Sequence, residues 1–164
     1  MRNQGFTLVE MAILIVILGI LSALAMPQIV EAMNQIKLNS AGQKLASDIR
    51  YARELALSRH GVFGVEFDLE ANNYQLFEVI GVNKNVMTNP HTGAAMVIDL
   101  DNLAEFSGVT ITDADHDEIR INAFGTPSTS AGVNLTAPSS ITLQNGGLNK
   151  VVAITHETGF VELV

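Results

Sequence analysis

Met1-Arg2-Asn3-Gln4-Gly5-Phe6-Thr7-Leu8-Val9-Glu10 opens the chain, and the run from Met11 to Met26 contains no charged residue. A short, weakly basic polar leader, a small residue and a long apolar block follow one another. Leu8 to Met26 is 19 residues, which as a helix spans about 28 Å, close to the thickness of a bilayer core. Arg2 ahead of the block agrees with a cytoplasmic amino terminus. The block therefore predicts a single membrane-crossing helix at the head of the chain.

A secretory signal peptide competes with that reading, because Ala23-Leu24-Ala25 just before Met26-Pro27 could serve as its cleavage site. Glu10 is foreign to a signal peptide. An acid deep in a bilayer costs roughly 2.5–3.5 kcal/mol on insertion scales, and less near the end of a span. Either Glu10 snorkels toward the headgroups, or another chain supplies its partner.

Gly5-Phe6-Thr7-Leu8-Val9-Glu10 followed by an apolar helix resembles the processing and methylation motif of type IV pilins and type II secretion pseudopilins. The resemblance implies cleavage between Gly5 and Phe6 by a prepilin peptidase, followed by N-methylation of Phe6. It also implies that Glu10, as the fifth mature residue, meets a positive amino terminus during assembly. Cleavage creates an ammonium at Phe6, and Glu10 can neutralise such a charge where water is scarce. Gly19 and Pro27 fall where helix-breaking residues occur in many members. Other implied partners are major and minor pilins or pseudopilins, the inner membrane and an inner-membrane assembly platform. No cofactor is implied. The corresponding division is a leader at 1–5, a transmembrane and assembly helix at 6–26, and a periplasmic pilin-like domain at 27–164. The protein would cross a bacterial inner membrane once and then enter a filament.

The helical pattern continues beyond Pro27 to about Arg59, where His60-Gly61 offers a stop. Met33, Ile36, Ala41, Leu45, Ile49, Ala52 and Ala56 recur at spacings of three to five and predict a core-facing stripe. Pro27 removes a backbone donor and predicts a kink. Beyond Gly61 the period changes to two. Phe63, Val65 and Phe67 alternate with Gly64, Glu66 and Asp68, and Asn72-Asn73 turns the chain into Tyr74–Ile80. Further strands are predicted at Met96–Leu100, Val109–Thr112, Ile119–Ala123, Ile141–Gln144, Val151–Thr155 and Phe160–Leu163. Asn83–Ala95 and Gly125–Ser140 read as loops.

Several of these segments resemble the minor pseudopilin and minor pilin branch called GspH/FimT. They are Leu45–Arg59 leading into the first strand, Asn122-Ala123-Phe124-Gly125-Thr126-Pro127, and the closing segments Ile141–Leu143, Val151–Ile154 and Thr158–Val161. The resemblance implies an α+β fold, with a long amino-terminal helix on antiparallel sheet structure, in two small sheets. It implies a structural minor subunit of a secretion pseudopilus or a type IV pilus, at or near a filament tip, acting in initiation or tip assembly. The alternative is a filament-displayed binding module for DNA or another extracellular ligand.

Composition narrows the alternatives. Net charge is −8 over 164 residues, and from His60 onward three cations face thirteen acids, a net of −10. Such a domain repels phosphate backbones unless its cations are focused, for example by joining Arg50, Arg53 and Arg59. With no cysteine, disulfide frameworks and thiolate chemistry are excluded. Asp113-Ala114-Asp115-His116-Asp117-Glu118 has the density of a calcium loop, but Glu118 and Phe124 occupy the positions where an EF-hand needs Gly and Glu. An acidic solvated turn is the simpler reading, with a looser calcium site as its rival. His60, His91, His116 and His156 lack metal-ligand spacing, and the serines at 128, 130, 139 and 140 lack a nucleophile elbow. Asn134-Leu135-Thr136 fits a glycosylation sequon, a match that arises often by chance. Nothing here points to an enzyme.

Overall fold

A computed structural model describes residues 6–164 of the chain. Helix α1, Leu8–Arg59, runs for 52 residues. Ten strands follow: β1 Val62–Asp68, β2 Asn73–Ile80, β3 Asn83–Val86, β4 Val97–Asp99, β5 Thr110–Ala114, β6 Glu118–Ile121, β7 Pro127–Ser128, β8 Ser139–Asn145, β9 Leu148–Ile154 and β10 Val161–Leu163. They form two antiparallel sheets, one ordered β3-β2-β1-β6-β7 with β4 also on β2, the other ordered β10-β9-β8-β5. The expected α+β architecture with two small sheets is present. The chain divides into two compact units, Met1–Met33 and Asn34–Val164.

In the first unit α1 is long and apolar enough to cross a membrane, and its apolar side chains are exposed all round. α1 runs continuously through Gly19 and Pro27, the two positions expected to break it. Proline removes one donor from the ladder, and the turns on either side carry the helix past it. The carboxyl-terminal end is as the sequence expects, with one substitution of roles. His60 takes the left-handed conformation at φ 52°, and the Gly61 N–H closes the last turn on the Ala56 carbonyl at 3.3 Å.

The second unit carries the core. Leu38, Ala41, Leu45, Ala46, Ile49, Ala52 and Ala56 are buried on one face of α1. They pack with Phe63, Val65 and Phe67 of β1, Tyr74 and Leu76 of β2, Ile141 and Leu143 of β8, and Val152 and Ile154 of β9. The alanines on that face let the sheets approach the helix backbone closely. Met33 and Ile36, expected on this stripe, are instead 52% and 65% exposed, and Leu38 is where burial begins. Periodicity locates a stripe, but it cannot show where along the helix the sheets begin to cover it. On the opposite face of β1, Gly64 pairs with Phe77. A Cβ at Gly64 would strike both the Ile119 carbonyl and the Phe77 ring, so glycine is what lets this aromatic bury completely.

Two polar fasteners hold the layers. Asp48 is a buried acid in the middle of the helix; it accepts from the Tyr74 hydroxyl at 2.8 Å and pairs with Lys44 one turn earlier. Burial, and then the adjacent Asp48 carboxylate, push the Tyr74 phenol far above its ordinary value, so it stays a donor. The second fastener is Asn72, left-handed at φ 49° in the turn before β2. Its Nδ2 donates to the Val109 carbonyl at 2.9 Å and to Asp101 Oδ1 at 2.7 Å, and its Oδ1 accepts from the Ile111 N–H at 2.9 Å. The amide thus acts as one peptide unit of an absent strand beside β5, tying one sheet to the free edge of the other.

Both predicted loops contain extra structure. Within Asn83–Ala95, β3 pairs with the end of β2, and beyond it Met87 and Met96 both hydrogen-bond to Leu76 before a Thr88–Ala95 bridge closes a hairpin. All four β3 residues are exposed, so no apolar alternation marked the strand. Within Gly125–Ser140, Pro127–Ser128 pairs with Arg120–Ile121, and β8 begins at Ser139.

Asn72→Asp keeps the acceptor but loses both Nδ2 bonds and sets a carboxylate beside Asp101. Urea unfolding of a fragment beginning at Gln28 should show a loss of about 2–3 kcal/mol. An unchanged midpoint would mean that the amide does not join the sheets.

Candidate processing and assembly site

The site begins where the helix begins. Thr7 precedes the first helical residue, and its side chain and that of Glu10 bond reciprocally. Glu10 Oε2 accepts from the Thr7 N–H at 3.0 Å and from the Thr7 hydroxyl at 2.9 Å, while the Glu10 N–H donates to Thr7 Oγ1 at 3.2 Å. This is a capping box, satisfying donors that the first turn of a helix leaves unpaired. Thr-x-x-Glu ahead of an apolar run is the sequence signature of that box, a signal that reading the segment for charge and hydropathy passes over. Glu10 therefore has an intrachain role in starting α1.

Phe6 lies just outside the helix and is 71% exposed; Gly5 lies outside the described residues. Gly19 has no atom within 4 Å of where a Cβ would stand, and Pro27 is exposed inside continuous helix. Phe6 and Glu10 are thus brought within about one turn of each other, while Gly19 and Pro27 lie further along the same helix.

Elsewhere the candidate chemistry disperses. Among the described residues no group of three or more His, Asp or Glu side chains is arranged to hold a metal ion. In the acidic turn, Asp115 accepts from the Ser140 hydroxyl and N–H, and these bonds hold its carboxyl below the ordinary aspartate value. Glu118 turns away to pair with Arg120 and Lys84. Burial pushes the Glu118 carboxyl up, but the hydrogen bonds from Arg120 and Lys84 outweigh it and leave it below the usual glutamate range. Arg50 and Arg53 donate to the Val161 and Thr158 carbonyls near the end of the chain, and Arg59 lies 6.0 Å from the Phe63 ring centre.

Residues 1–26 match a family model described as the prokaryotic N-terminal methylation motif. Residues 41–156 match the model described as type II transport protein GspH. The chain belongs to the GspH family. This places it among the pilin-like proteins of the type IV pilin superfamily, a family of structural subunits rather than of enzymes. The GspH-family chain is 33% identical over 90 residues to the fimbrial protein EcpB of Eikenella corrodens; the match covers 54% of the chain and 56% of that relative. The chain thus spans little more than half of that relative's length. Its fold is similar to that of the minor pseudopilin EpsH from the type 2 secretion system of Vibrio cholerae, with a TM-score of 0.59 at 14% identity over 78% of this chain and 96% of that one. The type IV minor pilin FimU of Pseudomonas aeruginosa follows at TM-score 0.53 and 16% identity, over 77% and 87% of the respective chains. The match to the methylation motif overlaps the apolar helix of this GspH-family chain, which is long and apolar enough to cross a membrane.

Thr7→Ala removes both hydroxyl bonds of the capping box. Amide exchange in detergent micelles should accelerate at residues 8–11, reflecting a loss of about 1 kcal/mol, with the rest of α1 unchanged. Equal protection in the variant would show that the cap does not hold the helix start.

Proposed function

We propose that this chain is a structural minor subunit of a type II secretion pseudopilus or a type IV pilus, acting in filament initiation or tip assembly. One combination carries the proposal. Phe6 and Glu10 stand at the head of a helix whose apolar side chains are exposed, in a chain whose residues 41–156 are of the GspH family. An uncovered apolar helix needs lipid or other helices around it, and a filament subunit meets the first before assembly and the second after it.

In this reading residues 1–5 are a leader removed between Gly5 and Phe6, residues 6–26 are the membrane and assembly helix, and 27–164 form the periplasmic domain. Phe6 then carries the new ammonium, N-methylated. Glu10 exchanges its Thr7 bonds for the ammonium of a neighbouring subunit in the poorly hydrated bundle. The prepilin peptidase, other major and minor pilins or pseudopilins, and an inner-membrane assembly platform are its partners. Gly19 and Pro27 are the positions where the helix can yield during packing.

Two measurements test the proposal. Intact mass of the protein from its native host should show loss of Met1–Gly5 and gain of one methyl group. Retention of the leader in assembled material defeats the processing step, and Gly5→Val should block it. Glu10→Ala removes a charge from the span, so membrane insertion persists and processing is unaffected. Recovery in sheared filaments should nevertheless fall about tenfold, because a neighbour's ammonium loses its partner. Normal recovery would end the assembly role of Glu10.

A further inference from the structure

An antiparallel sheet ends in strands whose outer N–H and C=O groups lack a ladder partner, and the chain itself covers most such edges here. At β5 the Asn72 amide supplies both bonds, donating to the Val109 carbonyl and accepting from the Ile111 N–H. At β10 Arg50 Nη2 donates to the Val161 carbonyl at 2.7 Å, and Leu163 lies so close to α1 that a Cβ on Gly42 would strike it. At β7 the Leu135 N–H donates to the Pro127 carbonyl at 3.0 Å, and Asn134 bridges to Ser128. β4 runs for three residues into a turn that Asp99 Oδ1 holds through the Asp101 and Asn102 N–H groups.

β3 is the exception. Its register with β2 is unbroken from Asn83 to Val86, and the next residue, Met87, donates its N–H to the Leu76 carbonyl at 2.9 Å. Backbone groups alternate in direction along an antiparallel pair, so Asn83 and Asn85 face β2 as Met87 does, while Lys84 and Val86 face away. Among the described residues, no turn, loop or side-chain hydrogen bond reaches the backbone of Lys84 or Val86. Edges are ordinarily blunted by an outward lysine, a proline or a bulge. β3 has neither proline nor register shift, and its lysine is turned inward. Lys84 Nζ pairs with Glu66 and Glu118 and lies 5.1 Å from the centre of the Phe77 ring. Arg120 pairs with Glu118 on that same face, and on the other face Glu78 and Arg59 line a groove beside Asn85. These cations and acids balance, so they set no net charge against an incoming strand.

We propose that the open edge of β3 receives an extended strand from a different pilin-like subunit. Main-chain bonds to Lys84 and Val86 hold it, as when a peptide adds a strand to a sheet. The side chains of β3 set the chemistry of the strand that fits. On the outer face it lies along Val86 and the neutralised Lys84, which favours β-branched apolar residues. On the other face it lies along Asn83 and Asn85, which favours polar, uncharged residues. The fitting segment is therefore a short uncharged strand that alternates between the two. A minor subunit has other subunits as its neighbours, so the donor is a different chain. That choice of donor rests on the filament-subunit reading; the open edge does not.

The test uses the tagged full-length chain in its native host. The photo-crosslinker p-benzoylphenylalanine replaces Val82, which is 97% exposed in the turn that leads into β3. Irradiation should give a single adduct, mapped by mass spectrometry to an extended segment of a second, pilin-like protein. The same group in place of Asn149, exposed on β9, should not give it. Val86→Pro removes an outward N–H and no β2–β3 bond, and should lower the adduct yield about tenfold. Val86→Lys keeps that N–H but adds the usual guard, and should lower the yield about fivefold. Val86→Thr keeps both the N–H and the β-branched shape and should leave the yield within about twofold. Protease resistance matched to the parent shows which variants are folded, and Val86→Lys carries the test if Val86→Pro is not. No adduct, an adduct only with a second copy of this chain or with a protein that is not pilin-like, or a yield indifferent to the folded blocking variants would each overturn the proposal. Recovery in sheared filaments is scored in parallel. Normal recovery without the adduct removes the docking alone, and the adduct without filament recovery removes the filament reading alone.

Discussion

One helix has to satisfy two surroundings, and the rest of the structure follows from how its sequence changes between them. From Phe6 to Ile36 apolar side chains are exposed on every side of α1. From Leu38 onward the apolar residues narrow to one buried face, made largely of alanine, leucine and isoleucine. Water tolerates the second pattern and not the first. A helix that is apolar all round must be covered by lipid or by other helices, whereas a one-sided stripe is covered by the chain's own sheets.

The two sheets share that single stripe, and their inner faces are apolar at every second residue. Dispersion and hydrophobic burial hold them on the helix, but such forces are indifferent to register and orientation. Direction comes from the few buried polar groups. Asp48 can be satisfied only when Tyr74 and Lys44 reach it, and Asn72 only when β5 lies alongside. Arg50 and Arg53 do similar service at the outer sheet, donating to carbonyls that β10 and the turn before it leave open. A misplaced sheet would leave Asp48 and Asn72 buried without partners, at a cost of about 1–3 kcal/mol each.

The same division separates the polar contacts along the molecule. At the amino-terminal end of α1 they are the bonds between Thr7 and Glu10, within about one turn. In the folded domain, the carboxylates that linear reading grouped as a candidate calcium loop are pulled apart by strand pairing. Asp115 bonds to Ser140 at β8, and Glu118 to Arg120 and Lys84 across β6 and β3. A dense acidic hexapeptide is thus split between two sheets.

How much was legible in the chain beforehand depended on the range of the forces involved. The anchor, the helix end near Arg59 and the alternating strands around Phe63–Phe67 and Ile119–Ile121 were readable, because local periodicity and solvent preference act over a few residues. The family resemblance lay in the short motif at Gly5–Glu10 and in the helix and closing strands, and the match over residues 41–156 agrees with it. The Thr7–Glu10 box was equally local and could have been read from its spacing. By contrast β3 carries no apolar signal, since its pairing comes from the open edge of β2 and its side chains stay in water. The exposure of Met33 and Ile36, the burial of Phe77 over Gly64 and the sheet-joining amide of Asn72 depend on residues far along the chain. Local composition and period were enough to say which segments are helical, extended or membrane-compatible. Which faces are covered, and which buried polar groups meet, waited on the folded arrangement, because those outcomes depend on what packs against each segment.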